Sequence, residues 1–215
     1  MTKENFRYAI GDIHGMLDAL REIEGKIARH AAQHGDDAPT VIYLGDYIDR
    51  GSDSKGVIEH LAANPRHFRQ ILLKGNHEEL AISDWDLWLD NGGMETLQSF
   101  GLKRPPLPPS VISWINQLKF FHRDGKWFFV HAGIEPQIAL NAQNPSTLLW
   151  IRRPFLDWRG PMPEDVTVVH GHTPERKRIV LPQRIGLDQG ACYGGLLACG
   201  VFSDSELVDV LEVRT

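Results

Sequence analysis

FRYAIGDIHG (residues 6–15) and VIYLGDYIDRG (residues 41–51) share one plan: a short apolar run that reads as a buried strand, then glycine, then aspartate. The plan recurs with other polar endings. ILLK (71–74) runs into Gly75-Asn76-His77, KWFFV (126–130) into His131-Ala132-Gly133, and VTVV (166–169) into His170-Gly171-His172. In layered α/β folds, loops at the carboxyl ends of strands are where sites are built. Glycine there lets the backbone turn sharply and approach other groups. One such ending is a turn; five converge. Asp, His and Asn offer hard oxygens and imidazole nitrogens with no thiolate, a set suited to Mn²⁺, Fe, Zn²⁺ or Mg²⁺. Asp12 and His14 are two apart, so in an extended segment they face one side and can chelate one ion. Asp46 is a carboxylate able to bridge two ions, and Asn76, His131 and His172 can complete a second site. Two metals about 3.5–4 Å apart form a clamp that hydrolyses phosphate esters.

Outward from these loops the chain alternates strands and helices. Residues 16–33 read as a helix, with Met16, Leu20, Ile23 and Ile27 on one face. Ser54 is a candidate cap for a helix carrying Val57, Ile58 and Leu61. Residues 78–119 read as a helical insertion interrupted by a loop. They hold Trp85, Trp88, Trp114, the pair Gly92-Gly93 and the cluster PPLPP (105–109), a stiff connector. The insertion is expected to shape one rim of the pocket. Asp124-Gly125 reads as a hairpin turn between KFFHRD and KWFFV. RIVL, RIGLD, GGLLACGVF and ELVDVLEV read as short strands of a second, antiparallel sheet. The expected architecture is a single α/β domain over 1–215, two sheets packed together with helices outside.

The composition closes off other classes. The chain has 215 residues, 42% hydrophobic and 24% charged, which excludes a disordered or fibrous protein. No apolar run approaches the roughly 18–20 residues of a membrane span, and MTKENFRYAI contains no apolar signal core. Two cysteines, Cys192 and Cys199, are too few for a disulfide framework and point to a reduced, cytoplasmic setting. A net charge of −5 speaks against general nucleic-acid binding. No membrane partner and no obligate protein partner is expected.

GDIHG (11–15), GDYIDRG (45–51), GNHE (75–78), HAG (131–133) and GHT (171–173), in that order, resemble the phosphoprotein phosphatase family of metallophosphoesterases, closest in style to the bacterial and phage serine/threonine phosphatases. The motifs span residue 11 to about 195. The resemblance implies a calcineurin-like fold of α-β-β-α layers with two packed mixed sheets. It implies two divalent metal ions, Mn²⁺ first with Fe or Zn²⁺ as alternatives. Asp12, His14 and Asp46 would hold one, and Asp46, Asn76, His131 and His172 the other, with a metal-bridging hydroxide as nucleophile. His172 rather than His170 is the ligand by that resemblance, although both lie on the same face. His77 is implied as the general acid and Asp49 as its orienting carboxylate, a pairing that fixes the imidazole tautomer. Arg50 and Arg152 are implied as the phosphate grips, with Arg153 as the neighbouring alternative. Asp188, in LDQGACYGG, also matches a family segment near the site, and Tyr193 can line the pocket.

The implied substrate is a phosphorylated protein or other phosphate ester, hydrolysed at phosphoserine or phosphothreonine. The alternative is a symmetrical dinucleoside tetraphosphate hydrolase, which NGGMETLQSFG (91–101) resembles equally. Asp49, and Ser52 after Gly51, favour the protein phosphatase. A phosphodiesterase and an inactive phosphate-binding module fit less well, since no ligand or acid is missing and two arginines suit a monoester dianion. Arg176, Lys177 and Arg178 read as a solvated loop. His30, His34, His60, His67 and His122 receive no function.

Overall fold

Strand β1 (Arg7–Ile10) is buried on both faces beyond its first residue, and so is β2 (Thr40–Tyr43). The computed structural model describes residues 6–215; the first five residues of the expected leaderless N-terminus lie outside the described residues. Because side chains alternate along a strand, Ala9 and Ile42 face one way and Tyr8, Ile10, Val41 and Tyr43 the other. The second set packs under Leu20, Ile23 and Ile27 of helix α1 (Leu17–Gln33) and Val57 and Leu61 of α2 (Ser54–Ala63). The first set meets Phe129 and Val169 from the opposite sheet. Two sheets thus share an apolar filling, and helices cover the outer face of the first.

β1, β2 and β3 (Arg69–Leu72) run parallel in register, joined through α1 and α2. After β3 come α3 (Asn76–Ser83), α4 (Trp85–Trp88), a π turn at Leu89–Gly93, α5 (Met94–Ser99) and α6 (Pro109–Ile115). The second sheet begins with the hairpin β4 (Phe121–Asp124) and β5 (Trp127–Val130). It continues through α7 (Pro145–Trp150), β6 (Thr167–His170), β7 (Ile179–Leu181) and β8 (Arg184–Gly186), in the order β4-β5-β6-β8-β7. β5, β6 and β8 are parallel, as are the first three strands of the other sheet.

Two sequence expectations are corrected. The C-terminal strands do not form one antiparallel sheet. β7 and β8 belong to the second sheet, whereas β9 (Asp188–Gln189), β10 (Leu196–Phe202) and β11 (Leu207–Arg214) join the first, in the order β11-β10-β1-β2-β3 with β9 beside β10. β10 is buried along nearly its whole length, so it needs a partner on each side and takes an inner place between β1 and β11. Secondly, Asp53 rather than Ser54 caps α2. The Asp53 carboxylate accepts the Gly56 amide at 2.8 Å, and Ser54 is freed for a different bond.

Beneath α1 and α2 lies a buried polar triad. Glu24, 1% exposed, accepts from the Tyr43 hydroxyl and from the His60 imidazole, each at 2.7 Å. His60→Phe keeps the volume and removes one partner of a buried carboxylate. Breaking such a pair costs about 3–5 kcal/mol. A thermal midpoint lowered by roughly 6 °C or more is expected in scanning calorimetry, and a shift below about 2 °C would contradict the pairing.

Candidate active site

The five motif loops leave the carboxyl ends of β1, β2, β3, β5 and β6. Their backbones are unusual. His14 (φ 44°), Asp46 (53°), Asp49 (73°), Arg50 (67°) and His172 (64°) all sit in the left-handed region, which costs on the order of 1–3 kcal/mol per residue unless surroundings enforce it. One enforcing group is Glu78, fully buried. Its carboxylate accepts the amides of Asp46 and Gly75 at 2.9 Å each, Tyr47 at 2.8 Å and Ile48 at 3.3 Å. Burial and the Asp46 charge nearby push its pKa up to about 7. Gly75 must be glycine: a Cβ there would fall 2.1 Å from Asp46 Oδ1.

Two groups of side chains converge here. Ligand-type atoms of His14, Asp46 and His77 lie within 4.8 Å of one another, and so do those of Asp46, His131 and His172. Asp46 is common to both. The His14 imidazole donates from Nδ1 to Ile48 O at 2.8 Å, and that of His131 from Nδ1 to Leu44 O at 2.9 Å. This fixes both tautomers and leaves both Nε2 atoms as acceptors, that of His14 within 2.8 Å of Arg50 Nη1. They face Asp46 Oδ2 at 3.5 Å and 3.4 Å. His131 Nε2 and His172 Nδ1 each stand 2.9 Å from Asn76 Oδ1, and His172 Nε2 has no partner among the described residues. Lone pairs of acceptors crowded together repel unless a cation lies among them. Burial holds the imidazoles neutral, as ligands must be. It lowers the pKa of His14 and His131 well below the usual value, and that of His172, aided by the Arg152 charge, to about 3. The residues therefore fit divalent cations.

Asp12, expected beside His14, is in neither three-residue group. Its two oxygens accept the His172 amide at 3.1 and 3.0 Å. Burial and the charges of Asp188 and Asp46 raise its pKa well above normal. Asp188, itself raised to about 6 by burial, accepts the Gly190 amide at 2.9 Å. Asp12, Asp46 and Asp188 are three buried carboxylates close enough to feel one another's charge, a second sign that positive charge belongs there.

His77 stands edge-on to His14 with ring centroids 4.7 Å apart. Its Nδ1 donates to Asp49 Oδ2 at 2.7 Å, so Nε2 turns toward the cluster, 4.0 Å from Asp46 Oδ2. Burial alone would lower its pKa, but the Asp46 charge and the Asp49 bond outweigh it and leave it raised. Asp49 is buried completely and held by three further groups. The Trp88 indole donates to both its oxygens at 3.0 and 2.9 Å, the Thr96 hydroxyl donates to Oδ1 at 2.6 Å, and the Asp49 amide donates to Thr96 Oγ1 and to Ser54 Oγ. Trp88 and Thr96 come from the helices after β3, and the Arg50 amide donates to Gly92 O at 3.4 Å in the same segment. Sequence reading missed Trp88, Thr96, Ser54 and Glu78 as site residues. The signal available was thin: a Trp-rich stretch, and a glutamate directly after Asn-His.

Arg50 donates from Nη1 to His14 Nε2 at 2.8 Å, and its guanidinium carbon lies 5.5 Å from the Tyr193 ring centre. Arg153 turns outward and pairs with Asp157 at 2.7 Å, whereas the charge of Arg152 is felt at His172. His170 faces away from the cluster: its Nε2 accepts from Arg184 Nη1 at 3.1 Å, and burial lowers its pKa to about 4. No described helix is long and apolar enough to cross a membrane.

A family model described as calcineurin-like phosphoesterase matches residues 8–202. Serine/threonine-protein phosphatase 1 of Salmonella typhimurium is 27% identical over 90% of this chain and 91% of its own. An asymmetrical bis(5'-nucleosyl)-tetraphosphatase of Halalkalibacterium halodurans is 24% identical over 94% and 92%. Among solved structures, a candidate diadenosine tetraphosphatase superposes with a TM-score of 0.72 at 23% identity, covering 99% of this chain and 95% of that one. A serine/threonine phosphatase from Saccharomyces cerevisiae gives 0.62 at 14%, covering 100% and 81%.

Proposed function

The chain belongs to the calcineurin-like phosphoesterase family, a family of metal-dependent hydrolases, and from that premise we propose that it removes phosphate from phosphoserine and phosphothreonine proteins. Asp12, His14 and Asp46 would hold one divalent cation, and Asp46, Asn76, His131 and His172 a second, with Mn²⁺ ahead of Fe or Zn²⁺. When bound, such a pair supplies a nucleophilic water at neutral pH and neutralises phosphate charge. Arg50 and Arg152 bind the phosphate oxygens through guanidinium forks and set the ester for in-line displacement. His77 carries a proton on Nε2 and delivers it to the departing serine or threonine oxygen. Asp49 orients that imidazole from Nδ1, and Trp88 and Thr96 hold Asp49.

The observation that carries the substrate reading is the His77–Asp49 pair at 2.7 Å. A departing alkoxide is a strong base and needs a protonated acid beside it; a departing nucleotide phosphate does not. A second reading, dinucleoside tetraphosphate hydrolysis, is favoured by the names of several relatives. Phosphate release in Mn²⁺ from phosphoserine, phosphothreonine and phosphotyrosine peptides, set beside cleavage of diadenosine tetraphosphate, separates the two. The serine and threonine peptides should give the higher kcat/KM. A marked preference for the dinucleotide would overturn the substrate reading and leave the metal site intact.

A further inference from the structure

A cleft of about 530 Å³ opens beside Tyr193, lined among others by Glu175, Arg176, Gln189 and Arg214 with Gly194 and Gly195. Tyr193 joins it to the phosphate grip. The ring is 64% exposed, and the Arg50 guanidinium approaches it at 5.5 Å. A substrate whose phosphate lay on Arg50 would have Tyr193 and the cleft beside it within reach. Gly194, at φ 75° with open space where a Cβ would stand, leaves room for it.

The charges in this cleft are uncommitted. The side chains of Arg176 and Arg214, both exposed residues, form no ion pair or hydrogen bond among the described residues. The acid that could neutralise them is engaged elsewhere: Glu212 Oε1 accepts from Gln189 Nε2 at 3.0 Å and faces Arg178 at 3.8 Å. Arg176 and Arg178 are both exposed, as expected of the 176–178 run; Arg178 has Glu212 as a partner and Arg176 has none among the described residues. Two guanidinium groups against the single carboxylate of Glu175 make the cleft positive in a chain of net charge −5. An unpaired guanidinium fork is a receptor for a carboxylate.

We infer that this cleft is a specificity subsite for an acidic side chain near the phosphorylated residue, so that the enzyme prefers phosphoserine and phosphothreonine substrates flanked by Asp or Glu. The inference rests on the phosphoprotein reading above. Three phosphoserine peptides differing only in two flanking positions, Glu-Glu, Ala-Ala or Lys-Lys, test it with the full chain in Mn²⁺. Two rim-exposed charge pairs correspond to about a tenfold higher kcat/KM for the Glu peptide than for the Ala peptide. The difference should lie in KM and shrink at high salt. In the Arg176→Ala/Arg214→Ala double variant the peptides should agree within about twofold, while kcat and turnover of p-nitrophenyl phosphate stay unchanged. Arg→Lys at both positions should restore part of the preference. Equal values for the Glu and Ala peptides in the wild type, or a preference that survives in the double variant, overturns the subsite. So does a KM that rises in that variant for diadenosine tetraphosphate alone. No turnover of any peptide, beside cleavage of the dinucleotide, overturns the underlying substrate reading and the inference with it.

Discussion

His77→Asn lowers kcat on phosphoserine peptide by about 10²–10⁴, the usual contribution of a positioned general acid. The loss is selective by leaving group. p-Nitrophenolate departs without a proton, so hydrolysis of p-nitrophenyl phosphate should fall far less, on the order of tenfold. The reasoning begins with the imidazole's fixed direction. Asp49 takes Nδ1 at 2.7 Å, and the Trp88 indole, the Thr96 hydroxyl and the Asp49 amide's bonds to Thr96 and Ser54 leave Asp49 no freedom to swing. The Asp46 charge and the Asp49 bond favour the protonated imidazole and hold its pKa above the usual value. Steady-state kinetics on both esters checks the expectation. Equal losses on both would assign His77 to metal or phosphate binding, and full turnover on the alkyl ester would remove it from the mechanism.

Asp46→Asn has the larger reach, because Asp46 Oδ2 faces both His14 Nε2 and His131 Nε2, at 3.5 and 3.4 Å. Asparagine keeps the shape, and its side-chain oxygen can still accept the His77 amide now bonded to Oδ1 at 3.1 Å. What disappears is the charge shared by two sites. Bound metal, measured by inductively coupled plasma mass spectrometry after desalting, should fall from near two ions per chain to one or fewer. Activity in excess Mn²⁺ should drop by about 10³ or more, in line with the loss of a metal clamp. Exhaustive chelation of the wild type should abolish turnover, and Mn²⁺ should restore it. Circular dichroism keeps a folding defect apart from a metal defect. A variant that retained two tightly held ions would refute the bridging role.

The parts of the fold that could be read in advance are those written in consecutive residues. Apolar runs ending in glycine and a chelating residue gave the strands and the loops after them, because the same few residues decide both. The structure then brings His14, Asp46 and His77 together as one group, and Asp46, His131 and His172 as a second. What could not be read is settled across the chain. Asp49 is held by Trp88 and Thr96, 39 and 47 positions away, in a segment whose broken helices carry no single period. Ser54 resembles a cap, but its hydroxyl receives the Asp49 amide and Asp53 does the capping. The C-terminal strands look alike locally, and only the burial of β10 between two neighbours decides that they divide between sheets.

One carboxylate gathering four amides has a consequence for how this molecule can vary. Glu78 ties the loop after β2 to the turn before α3, so neither can be lengthened, shortened or re-aimed without dragging the other along. Diversity of taste for different esters has to be written at the edges, in the strip from Pro174 to Arg176, where chain length can drift while the chemistry underneath stays still.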